Sequence, residues 1–401
     1  MRSDRKRREA EEKKNMSRRG RRASKENKGT DNKFCKILSI IYSVLALALI
    51  VLFIVLDVLP LIPLILLVLL LAVGSVFVIP VLYSPYGKPE RKKKIKVVAM
   101  VLILLFGVMD YYLASTILFL NHISNYVEAG VDDRSDKHVD VTGESFNVLV
   151  SGIDVTGDIN ETVSRSDVNM VVTINPRTRE VLLTSIPRDY YVELPSYGAM
   201  DKLTHTGIYG AEETIGAVEE LLDIEINYYA KVNYSTITGL VDAIGGIDIV
   251  SPYSFDTHGM GVYYHFEEGE IHLDGSQALA YCRERQSWID GDMKRNENQQ
   301  LILEAVIKKL TRGPVILFKY ASILDAVKGT VETDMGKGDM TDLVKMQLKD
   351  MRSWDISKQA LKGEPDFADC YSLGDSASVV MGSEDSIYTA KNAIADVAER
   401  E

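Results

Sequence analysis

The sequence predicts an α/β protein in which three transmembrane helices precede an extracellular α-β-α layered domain with a central mixed β-sheet. Three apolar runs between residues 37 and 120 predict the membrane part, because each has about the twenty residues that span a bilayer. From residue 144 onward, short β-branched runs alternate with helical patterns, which is typical of a layered α/β domain. The formal charge of −11 is divided unevenly, being basic before the first apolar run and acidic after the last.

Residues 1–33 form a basic segment with 14 Lys/Arg, six Asp/Glu and almost no large apolar side chains. This composition is typical of a disordered tail. A basic tail can bind nucleic acid or anionic lipid, and the apolar runs that follow favour the membrane surface. We therefore expect a cytoplasmic tail beside a lipid bilayer and no nucleic-acid partner.

The three apolar runs cover about residues 37–59, 61–82 and 97–120. The connection between the first two is very short, whereas residues 84–96 carry six Lys/Arg and should stay in the cytoplasm. The third helix then exits, which predicts a multi-pass protein of the cell membrane with everything after Asn121 outside. Asp110 lies in the third run, where an acid is either functional or neutral and hydrogen-bonded to a neighbouring helix; we favour the second.

The part outside the membrane carries a net charge of about −23 once the tail and the apolar runs are removed. Because such a field repels anions, an anionic ligand would need a local Arg cluster or a metal ion.

The part of the chain outside the membrane contains two cysteines, Cys282 and Cys370. One possible pair is not a disulfide framework, so we expect two free, partly buried thiols, with a bridge between them as the alternative.

Residues 122–143 are polar and predict a stalk, and the folded domain should occupy residues 144–401. Apolar β-branched runs predict strands, and apolar residues at helical spacing, one group ending at Gly245-Gly246, predict helices. The predicted elements are strands at 146–153, 167–174 and 179–186, a helix at 211–222, a strand at 226–233, a helix at 234–244 and a strand at 247–250.

The first three strands should bring charged residues together at one edge of the sheet. Closely connected strands pair antiparallel, so the end of the first, the start of the second and the end of the third meet. The residues at these positions are Asp154, Arg165, Asp167, Arg188 and Asp189. Carboxylates can share a hard divalent cation and Arg forks fit phosphate oxygens, which indicates a metal-bound phosphate or pyrophosphate site. The alternative is ordinary loop chemistry, because Asp and Arg are common at strand ends.

A second informative stretch runs from Leu273 to Leu310. A short helix capped by Asp274 should end at Arg283 and Arg285. On the following helix, at 292–310, Arg295 and Gln299 are four residues apart and share a face. If that face borders the acidic edge of the sheet, these side chains complete a phosphate clamp. The alternative is a pair of surface arginines in weak ion pairs with Glu284 or Asp290.

Several separated motifs follow one another from about Glu144 to the C-terminus. They are NVLVSGID, SRSD, IPRDYYV, DKLTH, VDAIGGIDI, LDGSQALAYCRER and the helix with Arg295 and Gln299. Their order resembles that of the LytR-CpsA-Psr family of Gram-positive cell-wall proteins, and the three spans are similar to those of its CpsA type.

The resemblance implies a phosphotransferase that moves a glycopolymer, such as capsule or teichoic acid, from an undecaprenyl-pyrophosphate carrier to peptidoglycan. It implies Mg²⁺ (or Mn²⁺) on the pyrophosphate, with Asp154 and Asp167 as the metal-associated acids. The positions that match the pyrophosphate-contacting residues of the family are Arg165, Arg188, Arg283, Arg285 and Gln299. Many members have a second Arg just before the helix Gln, where this chain has Asn298, so one donor of the clamp is in doubt.

The implied mechanism is attack of a peptidoglycan hydroxyl on the sugar-linked phosphorus, with charge neutralisation by the arginines. We expect Arg188, Asp189, Arg283 and Arg285 to act in catalysis. The general base is open between Asp189 and a metal-associated acid. Two rivals remain, namely a hydrolase that uses water as acceptor and a membrane-bound transcriptional attenuator, although residues 1–33 show no helix-turn-helix pattern.

Overall fold

The computed structural model describes residues 33–55, 71, 89–130, 139–154, 159, 165–258, 262–289, 291–312, 315 and 319–401. The chain divides into two compact units, Met1–Ile117 and Leu118–Glu401. Nearly all of the predicted tail therefore lies outside the described residues. The same holds for Asp290 and, except for Leu71, for the predicted span at 61–82.

Two long helices form the described part of the first unit. They are α1 (Lys33–Val55) and α2 (Pro89–Gly130), and the latter continues beyond this unit into the segment expected to be a stalk. Lys33–Val55 and Lys96–Leu118 are each long and apolar enough to cross a membrane. The first and third expected spans thus coincide with helices of membrane-spanning length and composition.

The second unit alternates strands and helices. The strands are β1 (Phe146–Ile153), β2 (Ser166–Asn175), β3 (Glu180–Ile186), β4 (Tyr191–Leu194), β5 (Ala199–Lys202), β6 (Tyr228–Asn233), β7 (Ile247–Ser251), β8 (Phe255–Asp256), β9 (His265–Phe266), β10 (Gly269–Leu273), β11 (Val331–Thr333), β12 (Asp355–Ala360), β13 (Gly363–Cys370) and β14 (Asp375–Gly382). The helices are α3 (Leu203–Thr206), α4 (Ala211–Leu222), α5 (Tyr234–Ile244), α6 (Gly275–Arg283), α7 (Gly291–Thr311), α8 (Tyr320–Val327), α9 (Lys337–Asp350) and α10 (Glu384–Glu399). The expected helices at 211–222 and 234–244 are confirmed, and the expected strand at 226–233 begins two residues later.

A six-stranded mixed sheet in the order β11-β6-β1-β2-β3-β12 forms the middle of this unit. β1, β2 and β3 pair antiparallel in succession, as the short connections predict. β6 runs parallel to β1, and β12 runs parallel to β3. The ends of β1, β3, β6 and β12 and the start of β2 therefore lie at one edge, which we call the site edge.

Helices cover both faces of the sheet. On one face, buried Leu149 and Leu182 belong to a cluster with Ile215 of α4 and Ile394 of α10. On the other face, Met170, Val172, Val181 and Leu183 pack with Leu303 and Ile307 of α7. Because successive strand residues point to opposite faces, both faces of the central strands are apolar. The arrangement is the expected α-β-α layering around a mixed sheet.

A third cluster fixes the position of α6 relative to α7. Its centre is Tyr281 of α6, which is fully buried and lies 5.0 Å from Phe255 between ring centroids. The Tyr281 hydroxyl lies 2.9 Å from the Ser251 hydroxyl, so its polar end is satisfied. Asp274 caps α6, as expected from the sequence, and the structure adds a reciprocal bond from Gln277 that completes a capping box. The C-terminal end of α6, with Arg283, is thereby held in a fixed place.

Candidate functional site

A β-bulge at the site edge places Asp167. Gly152 of β1 pairs with Val168 of β2, and the next residue, Ile153, pairs with Ser166. Asp167 is therefore the extra residue of the bulge, and a bulge redirects a side chain. A Cβ on Gly152 would lie 2.8 Å from the Val168 Cβ, so glycine is required for this close approach.

A cleft of about 270 Å³ opens at the site edge. Seven of the nine site residues expected from the sequence line this cleft. They include residues that are more than a hundred positions apart in the sequence, such as Asp154 and Gln299. The expected residues that line the cleft are Asp154, Asp167, Arg188, Arg283, Arg285, Arg295 and Gln299. Val168, Ile237 and Leu279 add an apolar wall.

The remaining two expected residues, Arg165 and Asp189, are near the site edge but are not among the residues that line the cleft. Arg165 is exposed and directly precedes β2. Asp189 pairs with Lys202 Nζ at 3.2 Å and with Arg188 Nε at 3.4 Å. The position of Asp189 suits a role in holding Arg188 in place. Direct contact of Arg165 or Asp189 with a ligand stays a prediction.

Each carboxylate of the cleft faces an arginine. Arg188 donates from Nη1 to Asp167 Oδ1 at 2.8 Å, and Arg283 donates from Nη2 to Asp154 Oδ2 at 3.4 Å. Although burial lowers the pKa of Arg188, its hydrogen bond to Asp167 and the nearby acidic charges raise the pKa overall. These contacts hold the guanidinium groups of Arg188 and Arg283 beside the cleft carboxylates.

Tyr234, which the sequence reasoning missed, completes the wall beside Asp154. It is the first residue of α5, directly after β6, and the Arg283 guanidinium carbon lies 4.2 Å from its ring centroid. Burial and the Asp154 carboxylate raise the pKa of Tyr234, so its hydroxyl remains a donor to Asp154 at neutral pH. The position of Tyr234 directly after a strand could have indicated that it belongs to the site, but only if the pairing of β6 with β1 had been known.

Arg295 supplies a buried cation with an unused donor. Its Nη2 atom pairs with Asp292 at 3.0 Å, and Arg285 lies 3.8 Å from the same carboxylate. Burial lowers the pKa of Arg295, and the charges of Arg188 and Arg285 lower it further. Within the described part of the chain, its buried Nε atom has no hydrogen-bond partner. Converging cations and a spare buried donor favour an anionic ligand.

Glu284, between the two arginines of the loop after α6, turns inward and pairs with neither. Its side chain is 1% exposed. The carboxylate accepts backbone N–H groups from His258 at 2.6 Å, Gln286 at 2.7 Å and Ser287 at 3.0 Å. Surface pairing of Arg283 or Arg285 with Glu284 is thus ruled out, and Glu284 instead fixes the loop that carries both arginines.

His258 also lines the cleft, and no sequence signal pointed to it. It follows β8, and its ring is about half exposed, with Nδ1 3.7 Å from Glu284 Oε1 and 3.4 Å from Ser287 Oγ.

Two other residues near the cleft are excluded as participants in the chemistry. Burial raises the pKa of the free Cys282 thiol to about 12, so it is not a nucleophile. Asn298 donates to the Tyr281 carbonyl at 3.1 Å and is buried away from the cleft.

The donor set of the cleft fits a divalent cation that arrives with a phosphate ligand. Among the residues that the structure describes, no group of three or more His, Cys, Asp or Glu could hold a metal ion. Mg²⁺ is commonly held by one or two carboxylates together with substrate phosphates and water. Asp154 and Asp167 both line the cleft and are the residues that could hold such an ion together with a phosphate ligand.

The chain is similar to known proteins both in sequence and in structure. The sequence model of the LytR_cpsA_psr family matches residues 116–395. A polyisoprenyl-teichoic acid–peptidoglycan teichoic acid transferase TagU from Bacillus licheniformis is 32% identical over 286 residues, covering 69% of this chain and 90% of the relative. The TagU of Halalkalibacterium halodurans is 40% identical over 217 residues, 53% of this chain and 69% of the relative. The crystal structure of B. subtilis TagV matches with a TM-score of 0.52 at 26% identity, covering 64% of this chain and 98% of that one.

Proposed function

Because the chain belongs to the LytR_cpsA_psr family, we propose that it is a membrane-anchored transferase of cell-wall glycopolymers. In this proposal it moves a teichoic acid or related wall glycan from an undecaprenyl-pyrophosphate carrier to a hydroxyl of peptidoglycan. The names of the TagU relatives support the polymer and the acceptor. Three spans with the domain outside the cell are part of the proposal, and α1 and α2 support a membrane anchor.

One observation carries this proposal, namely the convergence of four arginines and two carboxylates beside an apolar wall in one cleft. The arginines suit a pyrophosphate, because guanidinium forks bind phosphate oxygens in pairs. The apolar wall of Val168, Ile237 and Leu279 suits the start of a polyisoprenyl chain. The cleft volume of about 270 Å³ is at or below the lower end of drug-sized sites, so it admits the reacting part of the donor and leaves the polymer outside.

The reaction is phosphoryl transfer without a covalent protein intermediate. The acceptor hydroxyl oxygen forms a bond to the phosphorus attached to the sugar, and the bond from that phosphorus to the bridging oxygen breaks. Undecaprenyl phosphate leaves, and the acceptor proton passes to a base. Arg188, Arg283 and Arg285 stabilise the charge that develops on the phosphate oxygens. A Mg²⁺ ion held by Asp154 and Asp167 would supply further charge neutralisation on the pyrophosphate.

His258 is the best-placed base for the acceptor hydroxyl. Asp154 and Asp167 each face an arginine, and Asp189 pairs with Lys202 outside the cleft lining. The buried Glu284 carboxylate near His258 Nδ1 favours the tautomer with the proton on that nitrogen. At 3.7 Å the contact is an electrostatic one and not a hydrogen bond, and it would leave Nε2 as the proton acceptor.

We expect His258→Ala to lower the transfer rate about 10²- to 10⁴-fold, the range for a general base, with donor affinity unchanged. Added imidazole should restore part of the rate, because a small base can enter the space that the side chain leaves. His265→Ala, at an exposed histidine that is not among the cleft-lining residues, is the matched control and should keep the full rate. A His258 variant with wild-type turnover would remove this residue from the mechanism.

Asp167→Ala should raise the Mg²⁺ concentration needed for half-maximal transfer by about tenfold or more while the melting temperature stays nearly constant. A bulge carboxylate at the site edge contributes little packing, so its loss should act on the metal and on Arg188. Asp189→Ala removes the other acid beside Arg188 and is the control, since its effect should not depend on the Mg²⁺ concentration. A collapse of thermal stability in Asp167→Ala would show that this acid is structural.

Purified full-length protein in detergent, given a lipid-linked teichoic acid precursor and peptidoglycan, tests the proposed function. We expect the polymer to become covalently attached to the insoluble peptidoglycan. Release of soluble polymer at the same rate with and without peptidoglycan would instead identify the protein as a lipid-pyrophosphate hydrolase.

A further inference from the structure

Three tyrosines from separate turns form an exposed aromatic surface, which we call the tyrosine platform. Tyr197 lies between β4 and β5, Tyr209 follows α3, and Tyr371 lies between β13 and β14. The Tyr197 ring centroid is 4.8 Å from that of Tyr209 and 5.2 Å from that of Tyr371. Tyr197 is 46% exposed and Tyr371 is 51% exposed. The rings thus pack against one another, with Tyr197 and Tyr371 exposed to solvent and Tyr209 half-buried beside them.

A buried polar network holds the platform turns in one arrangement. The fully buried Asp201 carboxylate lies 2.6 Å from His205 Nδ1 and accepts the Ser372 backbone N–H at 2.7 Å. The Ser372 hydroxyl lies 2.8 Å from the same histidine nitrogen, and the Tyr371 N–H donates to the Met200 carbonyl at 3.1 Å. Burial would raise the pKa of Asp201, but hydrogen bonds from Ser372 and His205 lower it overall. The platform is therefore preorganised, which reduces the entropic cost of binding.

The charge around the platform is opposite to that of the cleft. Residues 191–210 and 363–382, which carry the three rings, contain six Asp/Glu and a single Lys or Arg, Lys202. Lys202 pairs with Asp189 toward the site edge. The local field is therefore negative, whereas four arginines line the cleft. A polyphosphate chain would be repelled from the platform, and an uncharged ligand would not.

We propose that the tyrosine platform binds the acceptor, a strand of uncharged N-acetylated sugars. Aromatic faces pack against the C–H faces of sugar rings, and phenol hydroxyls bond to sugar hydroxyl and amide groups. This inference rests on the proposed function and adds to it. The two substrates are sorted by charge, with the anionic donor in the arginine cleft and the neutral acceptor strand on the tyrosines.

The hairpin β4-β5 connects the platform to the cleft. At its base, the Thr204 N–H donates to the Arg188 carbonyl at 2.8 Å, and Lys202 pairs with Asp189. Tyr197 is eight residues from Asp189, so at about 3.3 Å per residue the two lie at most roughly 26 Å apart. A strand of several sugars can span this upper limit, and so reach the platform while its attacking hydroxyl lies in the cleft. The platform therefore contributes to binding of long acceptors, which affects KM rather than the chemical step.

The double variant Tyr197→Ala/Tyr371→Ala in the full-length protein tests this inference. We expect KM for polymeric peptidoglycan to rise roughly tenfold, the size of two lost aromatic contacts, with kcat little changed. Transfer to a single disaccharide acceptor and affinity for the lipid donor should stay at wild-type levels. Tyr388→Ala, at an exposed tyrosine of α10, is the matched control and should change none of these values.

Cosedimentation of the full-length protein with purified, teichoic-acid-free peptidoglycan gives a readout that does not need catalysis. The double variant should bind about tenfold more weakly than wild type, while an unchanged affinity would overturn the platform even if transfer activity is confirmed. Displacement of the protein by soluble teichoic acid in this assay, lost in the double variant, would show that the platform binds the polyanion and contradict our assignment. If wild-type protein shows no transferase activity, a retained difference in cosedimentation still supports the platform.

Discussion

Arg188→Lys and Arg283→Lys are each expected to lower the rate of glycan transfer about ten- to a hundredfold, equivalent to roughly 1.5–3 kcal/mol of transition-state stabilisation. An ammonium keeps the charge but cannot form the paired bonds that a guanidinium makes with phosphate oxygens. Both side chains are also bound to the cleft carboxylates Asp167 and Asp154. Lysine would therefore lose orientation as well as the second donor.

The measurement is the initial transfer rate of the full-length protein with saturating and subsaturating lipid donor. Arg177→Lys, in the exposed turn between β2 and β3 at the opposite edge of the sheet, is the matched control and should change the rate less than about twofold. Because Arg188 and Arg283 act on one group, the double variant should cost less than the sum of the single variants. Rates near wild type for both single variants would separate these arginines from the reaction.

Glu284→Ala is expected to destabilise the protein by about 2–4 kcal/mol and to lower transfer by more than about a hundredfold. The substitution leaves three backbone donors, those of His258, Gln286 and Ser287, without the acceptor that they share. The loop that carries Arg283 and Arg285 would then lose its fixed geometry. A fall in melting temperature of roughly 5–15 °C should accompany the loss.

Glu284→Gln separates the two effects of this carboxylate. The amide oxygen can still accept from Gln286 and Ser287, but the NH2 group cannot accept from His258, so only part of the stability should return, and the charge beside His258 is lost. Glu297→Ala, which removes an exposed carboxylate paired with Lys294, is the control and should be nearly neutral. Thermal melting and donor titration of the three variants check this account. Equal melting temperatures for Glu284→Ala and wild type would show that the loop does not depend on the carboxylate.

The sequence was sufficient to predict the layered fold and most of the site. The four-residue connection after β2 predicts antiparallel pairing of β2 with β3, and the closeness of β1 to β2 in the sequence favours the same pairing, so Asp154 and Arg188 were expected at one edge. The cap expected at Asp274 similarly indicated where α6 begins and hence where Arg283 emerges. These features depend on local chemistry, which a sequence displays directly.

Other features of the site depend on pairing between distant segments and could not be read from local patterns. The bulge at Asp167 requires the register of β1 against β2, and the place of Tyr234 requires β6 beside β1. The alternative to the phosphate clamp took Glu284 as a surface ion-pair partner of the arginines, yet the chain turns this residue into the interior. Nothing in the sequence near His258 distinguishes it from an ordinary loop histidine.

The most direct test of the central claim follows the phosphorus of the donor. A lipid-linked glycan with radioactive phosphorus at the position attached to the sugar is incubated with full-length protein and peptidoglycan. We predict that the label becomes covalently bound to peptidoglycan after lipid extraction, because the hydroxyl attacks that phosphorus. Glycan bound to peptidoglycan with the label left in the lipid fraction would show attack at the sugar carbon, and label in soluble glycan would show attack by water; either result would contradict the proposed transfer.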